Sequence, residues 1–228
     1  MNGIPRQARH VGMVVGAFVL AAAPLAGQSR DAWQRPDDVI AALALSTGSR
    51  VADLGAGDGF FTGRLARAVG AEGRVLAVDV EPKMIERLKL LVGKEQLSNV
   101  DVIRAESADP HLPAASLDAV LIVNAYHEMT EHGAILEHIR KALRPAGRLV
   151  IVEPITDRLR HESRGAQVKA HELAPEYVVG ELHSAGFRVE RLDGAFSTNP
   201  VTNEVNWLVV AVPGTAVRAG ARATPVPK

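Results

Sequence analysis

The sequence predicts a single α/β domain in which helices cover both faces of a mostly parallel sheet. Apolar, strand-like segments alternate with amphipathic, helix-like segments from residue 31 to residue 212. The segment "LDAVLIVNA", residues 117–125, is largely apolar, as is typical of a strand buried on both faces of a parallel sheet. A glycine-rich turn, "GAGDG", directly follows another short apolar strand, as expected where such a strand turns into a helix.

The elements of the first half follow in order from their residue patterns. "RPDDVIAALAL" predicts a helix because Pro36 and acidic residues occupy its first turn. Proline also opens the helix predicted over residues 82–92. The remaining elements of this half are strands over 50–54, 74–80 and 99–105 and a helix over 60–69.

The second half continues the alternation, with one interruption. We predict a strand over 117–125, a helix over 133–143 ended by "RPAG", a strand over 148–154, a helix over 174–186, and strands over 187–193 and 204–212. The charged segment 155–171 is longer than an ordinary connection. Two interpretations stay open for it: a loop that covers a ligand, or a solvated connection with a helical turn.

Composition excludes several classes of function. The 228 residues carry 26 basic and 26 acidic side chains. Five basic residues and no acidic ones lie in the two terminal segments 1–27 and 213–228, so the body between them has a net charge of about −5. An acidic body argues against nucleic-acid binding. The absence of cysteine excludes disulfides, thiolate metal sites and a cysteine nucleophile.

The first 27 residues resemble a secretory signal. Arg6 and Arg9 precede the apolar run 11–26, which is short for a membrane span and contains Pro24. We therefore expect cleavage near Gly27 and export to the periplasm, with an uncleaved anchor formed by 11–26 as the alternative. Beyond this run we expect no integral membrane domain. The small, Pro-rich and basic tail 213–228 is predicted to be disordered.

The glycine-rich stretch "VADLGAGDGFF", residues 51–61, narrows the choice of ligand. Gly55 and Gly57 fit a dinucleotide pattern, but Phe60 stands where its third glycine belongs, and the Gly-Lys-Ser/Thr of a phosphate loop is absent. Asp53 and Asp58 would repel a pyrophosphate and attract a cation. S-adenosylmethionine, which carries an ammonium, a sulfonium and no phosphate, satisfies these requirements.

The same stretch resembles motif I of the class I S-adenosylmethionine-dependent methyltransferases. Further segments resemble later motifs of that family in the family's order: "VLAVDV", "IRAESADPHLP", "LDAVLIVNAYHEM" and "LRPAGRLVIVEP". The resemblance covers residues 31–212, the predicted methyltransferase domain. It implies a Rossmann-like, seven-stranded sheet of order 3-2-1-4-5-7-6, in which residues 204–212 form the inserted antiparallel strand.

The resemblance also implies a set of cofactor-binding residues. Asp79 would accept both ribose hydroxyls, and Glu106 would lie near the adenine amino group. Alone, Asp53 could simply cap a helix and Asp79 could be a turn residue, but three acids at the ends of three successive strands favour a cofactor site. The expected residues are Asp53, Gly55, Ala56, Gly57, Asp79, Val80, Glu106, Ser107 and Asn124.

The acceptor side is expected just after the fourth strand. His127 is the preferred general base, with Glu128 as an alternative base or as the group that orients it. The other interpretation is that Tyr126 and His127 are packing and loop residues. The Pro-Pro tetrad of many amino methyltransferases and the cysteine of cytosine-C5 and arsenite enzymes are absent, which favours a small-molecule or lipid-like acceptor. His171 is a further candidate for the acceptor side.

No metal is expected, because neither histidine–glutamate pair has the H-E-x-x-H spacing: Glu131 and Pro175 stand where the second histidine belongs. His132 and His138 are interpreted as surface residues. Trp33 and Arg35 are either lid residues or, for Trp33, an anchor to the core.

Two other functions are alternatives: an exported S-adenosylmethionine- or nucleoside-binding protein without transfer, and a nicotinamide-dependent oxidoreductase, which Phe60 and the acidic loop disfavour.

Overall fold

A computed structural model describes residues 30–214 as one seven-stranded sheet. The strand order is 3-2-1-4-5-7-6, which confirms the predicted fold class and topology. The first five strands are parallel, and the seventh pairs antiparallel with both the fifth and the sixth. The strands are β1 (Arg50–Leu54), β2 (Arg74–Asp79), β3 (Val100–Arg104), β4 (Leu117–Val123), β5 (Leu143–Ile155), β6 (Phe187–Thr198) and β7 (Val205–Pro213).

Helices cover both faces of this sheet. They are α1 (Arg30–Gln34), α2 (Pro36–Ala42), α3 (Thr62–Val69), α4 (Pro82–Glu95), α5 (His132–Ala142), α6 (Arg164–Lys169) and α7 (Pro175–Ser184). Neighbouring strand residues point to opposite faces. Val51 therefore packs with α2, α3 and α4, whereas Ala52 packs with α5 and α7. The two apolar cores explain why the central strands are nearly continuous hydrophobic runs.

Three boundaries differ from the sequence prediction. β5 begins at Leu143 and includes the "RPAG" segment, because Leu143 pairs with Leu117 across a register shift and both side chains are buried. β6 continues past residue 193 through an irregularity and pairs Thr198 with Val205. The helix predicted over 35–45 is α2, and a short helix that was not predicted, α1, precedes it; Arg35, between the two, has a left-handed φ of 49°. The proline that follows disfavours the α-helical region for Arg35, which accounts for the break.

The charged segment 155–171 forms a turn and the short helix α6, which begins after a cap by Ser163. It leads from the carboxyl end of β5 to α7. The predicted signal segment 1–27 lies outside the described residues, as does the predicted disordered tail from residue 215 onward. Within residues 30–214, no helix combines the length and the apolar character needed to cross a membrane.

Candidate functional site

The loops at the carboxyl ends of β1 to β4 surround a cavity of about 430 Å³. A second cavity of about 280 Å³ adjoins it and shares Gly55, Gly57, Met84 and Asn124 with it. Each residue of the expected cofactor-binding set lines at least one of the two. The larger cavity is lined by Gly55, Gly57, Asp79, Val80, Glu106, Ser107 and Asn124, and the smaller one adds Asp53 and Ala56.

The glycine loop forms the wall between the two cavities. Gly55 and Ala56 donate their backbone N–H groups to the carbonyl of Val78, at 2.9 and 3.0 Å. Gly55 has a φ of 74°, and a Cβ added there would lie 2.5 Å from the Cβ of Ala125. Only glycine fits this position, because the loop must turn sharply against the end of β4.

Asp79 joins this loop to the end of β2. Its Oδ2 accepts the N–H of Gly57 at 2.9 Å, and its Oδ1 accepts the N–H of Glu81 at 2.9 Å. The side chain is largely buried, yet it lines the larger cavity. A carboxylate has about four acceptor positions, so both oxygens keep a free position for the hydroxyls of a diol.

Asp53 lies behind the loop at the end of β1. It is 3% exposed, and its Oδ2 accepts a hydrogen bond from Thr62 Oγ1 at 2.6 Å. Burial, supported by the charges of Asp79 and Asp58, raises the pKa of Asp53 from 3.8 to about 6, although the bond from Thr62 opposes the shift. A cation bound in the smaller cavity would favour the ionised carboxylate.

Glu106, the acid expected near the adenine amino group, is more exposed than Asp53 and Asp79. It lines the larger cavity, and its side chain is 79% exposed. Its backbone exchanges hydrogen bonds with Asp109 in a tight turn. Glu106 and Ser107 are therefore available to a ligand in this cavity.

His127 occupies a 3₁₀ turn, Tyr126–Glu128, after β4, in which Tyr126 and His127 are buried. Its ring is 3% exposed, and its Nδ1 lies 2.6 Å from Oε2 of Glu153. Oε1 of Glu153 accepts the backbone N–H groups of Ala125 and Tyr126 at 2.8 and 2.6 Å. A carboxylate can only accept, so Nδ1 is the donor and carries a proton. The other nitrogen of neutral His127, Nε2, therefore has a free lone pair.

Glu153 was missed by the sequence analysis, although it carried the same signal as Asp53 and Asp79: an acid at the carboxyl end of a strand. It is fully buried. It holds the Nδ1 side of His127, whereas Glu128 lies on the opposite side, with Oε1 3.7 Å from Nε2. Burial lowers the pKa of His127, but the bond to Glu153 and the charges of Glu153 and Glu128 outweigh it, so the net shift is upward.

The remaining candidates are divided between the site and the core. Glu128 lines the larger cavity, and the exposed His171 stacks edge-on against His127 with ring centroids 5.6 Å apart. Tyr126 is fully buried and donates its hydroxyl to Glu181, which gives it a packing role. Trp33 and Arg35 line neither cavity; Arg35 stacks on Phe196 instead.

Arg30 is the α1 residue that lines the smaller cavity, and sequence reasoning did not single it out. Its guanidinium pairs with Asp58 at 3.1 Å and stacks over the ring of Phe60 at 4.2 Å from the ring centroid. Phe60 stands where a dinucleotide loop has glycine. Here its ring packs against the guanidinium of Arg30 beside the glycine loop.

Comparisons with known proteins agree with this geometry. Residues 51–147 match the family model described as a methyltransferase domain. The ubiquinone/menaquinone biosynthesis C-methyltransferase of Haemophilus ducreyi is 32% identical over 119 residues, which cover 48% of this chain and 44% of that protein. An arsenite methyltransferase of Halobacterium salinarum is 32% identical over 114 residues, which cover 49% of this chain and 29% of that protein.

The chain thus spans less than half the length of these two curated relatives. The similarity to solved structures is more extensive. An S-adenosylmethionine-dependent methyltransferase from Aquifex aeolicus superimposes with a TM-score of 0.65 and 27% identity, covering 77% of this chain and 88% of that one.

The strand order, the glycine loop and the match over residues 51–147 are similar to those of one class of protein, the S-adenosylmethionine-dependent methyltransferases. The methyl donor of this class is S-adenosylmethionine. The residues present fit this donor, because Asp79 offers free acceptor positions to a diol and Asp53 offers a carboxylate to an ammonium.

Proposed function

We propose that this chain transfers the methyl group of S-adenosylmethionine to a small-molecule acceptor. The observation that carries the proposal is the larger cavity, which is lined by seven of the nine predicted cofactor residues and also by Glu128. Donor and acceptor would therefore meet in one cavity. Holding two reactants in line in such a space is the main contribution a protein makes to a direct displacement.

The donor half is formed by the carboxyl ends of β1, β2 and β3. We place the ammonium beside Asp53, the ribose at Asp79 and the adenine near Glu106 and Ser107. Asn124 lines both cavities and so lies where the two halves of the ligand would join. When bound, the donor supplies a methyl group already activated on a sulfonium.

The acceptor half is formed by the turn after β4 and the start of α5. Met129 and Ile135 give it an apolar wall, and Glu128 supplies a carboxylate. His127 lies behind Glu128, and its Nε2 is 3.7 Å from Oε1 of that residue. The proton of an O–H or N–H acceptor would pass to this pair as the new bond to carbon forms and the carbon–sulfur bond breaks.

The test has two parts, both made on the full-length chain. Calorimetry with S-adenosylmethionine, S-adenosylhomocysteine and NAD should show binding of the first two; binding of NAD alone would contradict the proposal. Incubation with methyl-labelled donor and a small-molecule extract should then give a labelled product. Tight donor binding without any labelled product would favour a binding protein that performs no transfer.

We also propose that the protein acts outside the cytoplasm. The support is the sequence of residues 1–27, a basic start followed by the apolar run. Sequencing the N-terminus of the protein isolated from its cells should show a start near residue 28. An intact Met1 on a soluble cytosolic protein would contradict export.

A further inference from the structure

Three side chains able to bind a metal meet beside the larger cavity. His127, Glu128 and His171 each offer one ligand atom, and these atoms lie within 4.8 Å of one another. Oε1 of Glu128 is the centre of the group: it lies 3.7 Å from Nε2 of His127 and 3.6 Å from Nδ1 of His171. The three side chains come from the turn after β4 and from the end of the charged segment 155–171.

The separations are close to those of a coordination sphere. Ligand atoms about 2.0–2.2 Å from a tetrahedral metal lie roughly 3.4 Å apart. Two of the separations in the group exceed that value by only a few tenths of an ångström. His171 is 75% exposed and follows the short helix α6, so its ring can rotate to close the remaining gap.

Glu153 distinguishes this group from a chance cluster of surface residues. It is fully buried and accepts a hydrogen bond from Nδ1 of His127, which leaves the lone pair on Nε2, the nitrogen that faces Glu128. A carboxylate behind a histidine in this arrangement is what metal sites use to fix the tautomer and the orientation of the ring. The same carboxylate holds the turn through two backbone N–H groups.

We propose that His127, Glu128 and His171 bind one divalent transition-metal ion, of which Zn²⁺ is the representative. Two imidazoles and one carboxylate suit Zn²⁺, Fe²⁺, Co²⁺ or Ni²⁺ rather than Mg²⁺ or Ca²⁺, which prefer oxygen ligands. Three protein ligands leave at least one coordination position open. The expectation of no metal considered only the H-E-x-x-H spacing, and His171 is too distant in sequence to enter such a pattern.

The open coordination position would allow the ion to bind the acceptor. Because Glu128 also lines the larger cavity, an acceptor oxygen there can reach the ion. A bound metal lowers the pKa of a hydroxyl that it coordinates, so the ion would activate the acceptor and His127 would serve as a ligand. This use depends on the proposed methyl transfer, whereas binding of the ion does not.

The experiment uses the untagged full-length chain, freed of metal with a chelator and titrated with Zn²⁺ in equilibrium dialysis. About one equivalent should bind, and Co²⁺ in its place should give the visible absorption of a histidine-coordinated ion. His171→Ala and Glu128→Gln change exposed side chains, so both variants should fold, as circular dichroism can verify. Each should weaken Zn²⁺ binding at least about tenfold.

His161→Ala is the matched control, an exposed histidine of the same segment outside the group, and it should bind Zn²⁺ like the wild type. The proposal is overturned if Zn²⁺ does not bind stoichiometrically, or if His171→Ala binds it as tightly as the wild type. Donor affinity is measured on the same preparations. Loss of the metal site with donor binding intact removes only this inference, whereas absence of donor binding removes the proposed function.

Discussion

Glu153 should contribute both to the stability of the fold and to the tautomer of His127, and two substitutions separate these two contributions. Glu153→Ala removes three hydrogen bonds to a buried carboxylate and leaves two backbone N–H groups and the His127 ring without an acceptor. Charge-assisted bonds contribute about 1.5–3 kcal/mol each, and breaking a buried pair costs about 3–5 kcal/mol. We expect a loss of about 4 kcal/mol, a large share of the roughly 5–15 kcal/mol that stabilises a domain.

Glu153→Gln should be much milder for the fold. One amide oxygen can accept both backbone N–H groups, as Oε1 does now, so only the charge-assisted bond to His127 is exchanged for a neutral one, at about 1–2 kcal/mol. The amide NH₂ would then face Nδ1 of His127 and donate to it. That reverses the tautomer and puts the proton on Nε2, which abolishes the lone pair that faces Glu128.

Urea unfolding of the full-length chain measures the first effect, and the ring-nitrogen chemical shifts of His127 measure the second. Glu190→Gln, an exposed glutamate on β6, is the control and should change the free energy of unfolding by less than about 0.5 kcal/mol. The reasoning is refuted if Glu153→Ala unfolds within about 1 kcal/mol of the wild type. It is equally refuted if Glu153→Gln keeps the original tautomer.

Three further predictions concern the donor half. Because folding raises the pKa of Asp53 from 3.8 to about 6, the unliganded protein should lose stability as pH rises between these values, and urea unfolding of Asp53→Asn should lack this slope. Asp79→Ala should weaken donor binding in calorimetry by about 1.5–3 kcal/mol for each lost hydroxyl bond, and unchanged affinity would remove Asp79 from the site. Gly55→Ala should destabilise the fold by about 1–3 kcal/mol, since its Cβ would meet that of Ala125, whereas Gly93→Ala, in open space on α4, should not; equal unfolding midpoints for the two variants would contradict this.

The sequence could predict the donor half because a parallel sheet brings the carboxyl ends of its strands to one edge. Asp53, Asp79 and Glu106 lie at or just after the ends of three recognisable apolar strands, so the strand pattern and the resemblance together predicted that they would lie close to one another. Glu153 obeyed the same rule and could have been found. The break at Arg35 between α1 and α2 could also have been predicted, because a residue that precedes a proline disfavours the α-helical region.

The approach of His171 to His127 could not be predicted. Segment 155–171 has neither a strand nor a helix period, so its path depends on contacts far away in sequence. Gln167 fixes that path: its side chain donates to the carbonyls of Leu159, Arg160 and Glu162. His171 itself has a φ of 60°, a left-handed conformation that no local pattern indicates for histidine.

In both halves of the site, a carboxylate at the end of one strand accepts backbone N–H groups from the loop after the neighbouring strand. The two halves lie on either side of the point where the strand order reverses. Between β1 and β4 the connections diverge, and ligands of such sheets bind in the crevice that results. On one side the Asp79 carboxylate, from β2, accepts a backbone N–H of the loop after β1. On the other, the Glu153 carboxylate, from β5, accepts two from the turn after β4. Each outer strand therefore fixes the loop of its inner neighbour, and the cavity lies between two loops that are already oriented when the protein folds. Ligands then bind without having to order either loop, which is the physical advantage of a preorganised site.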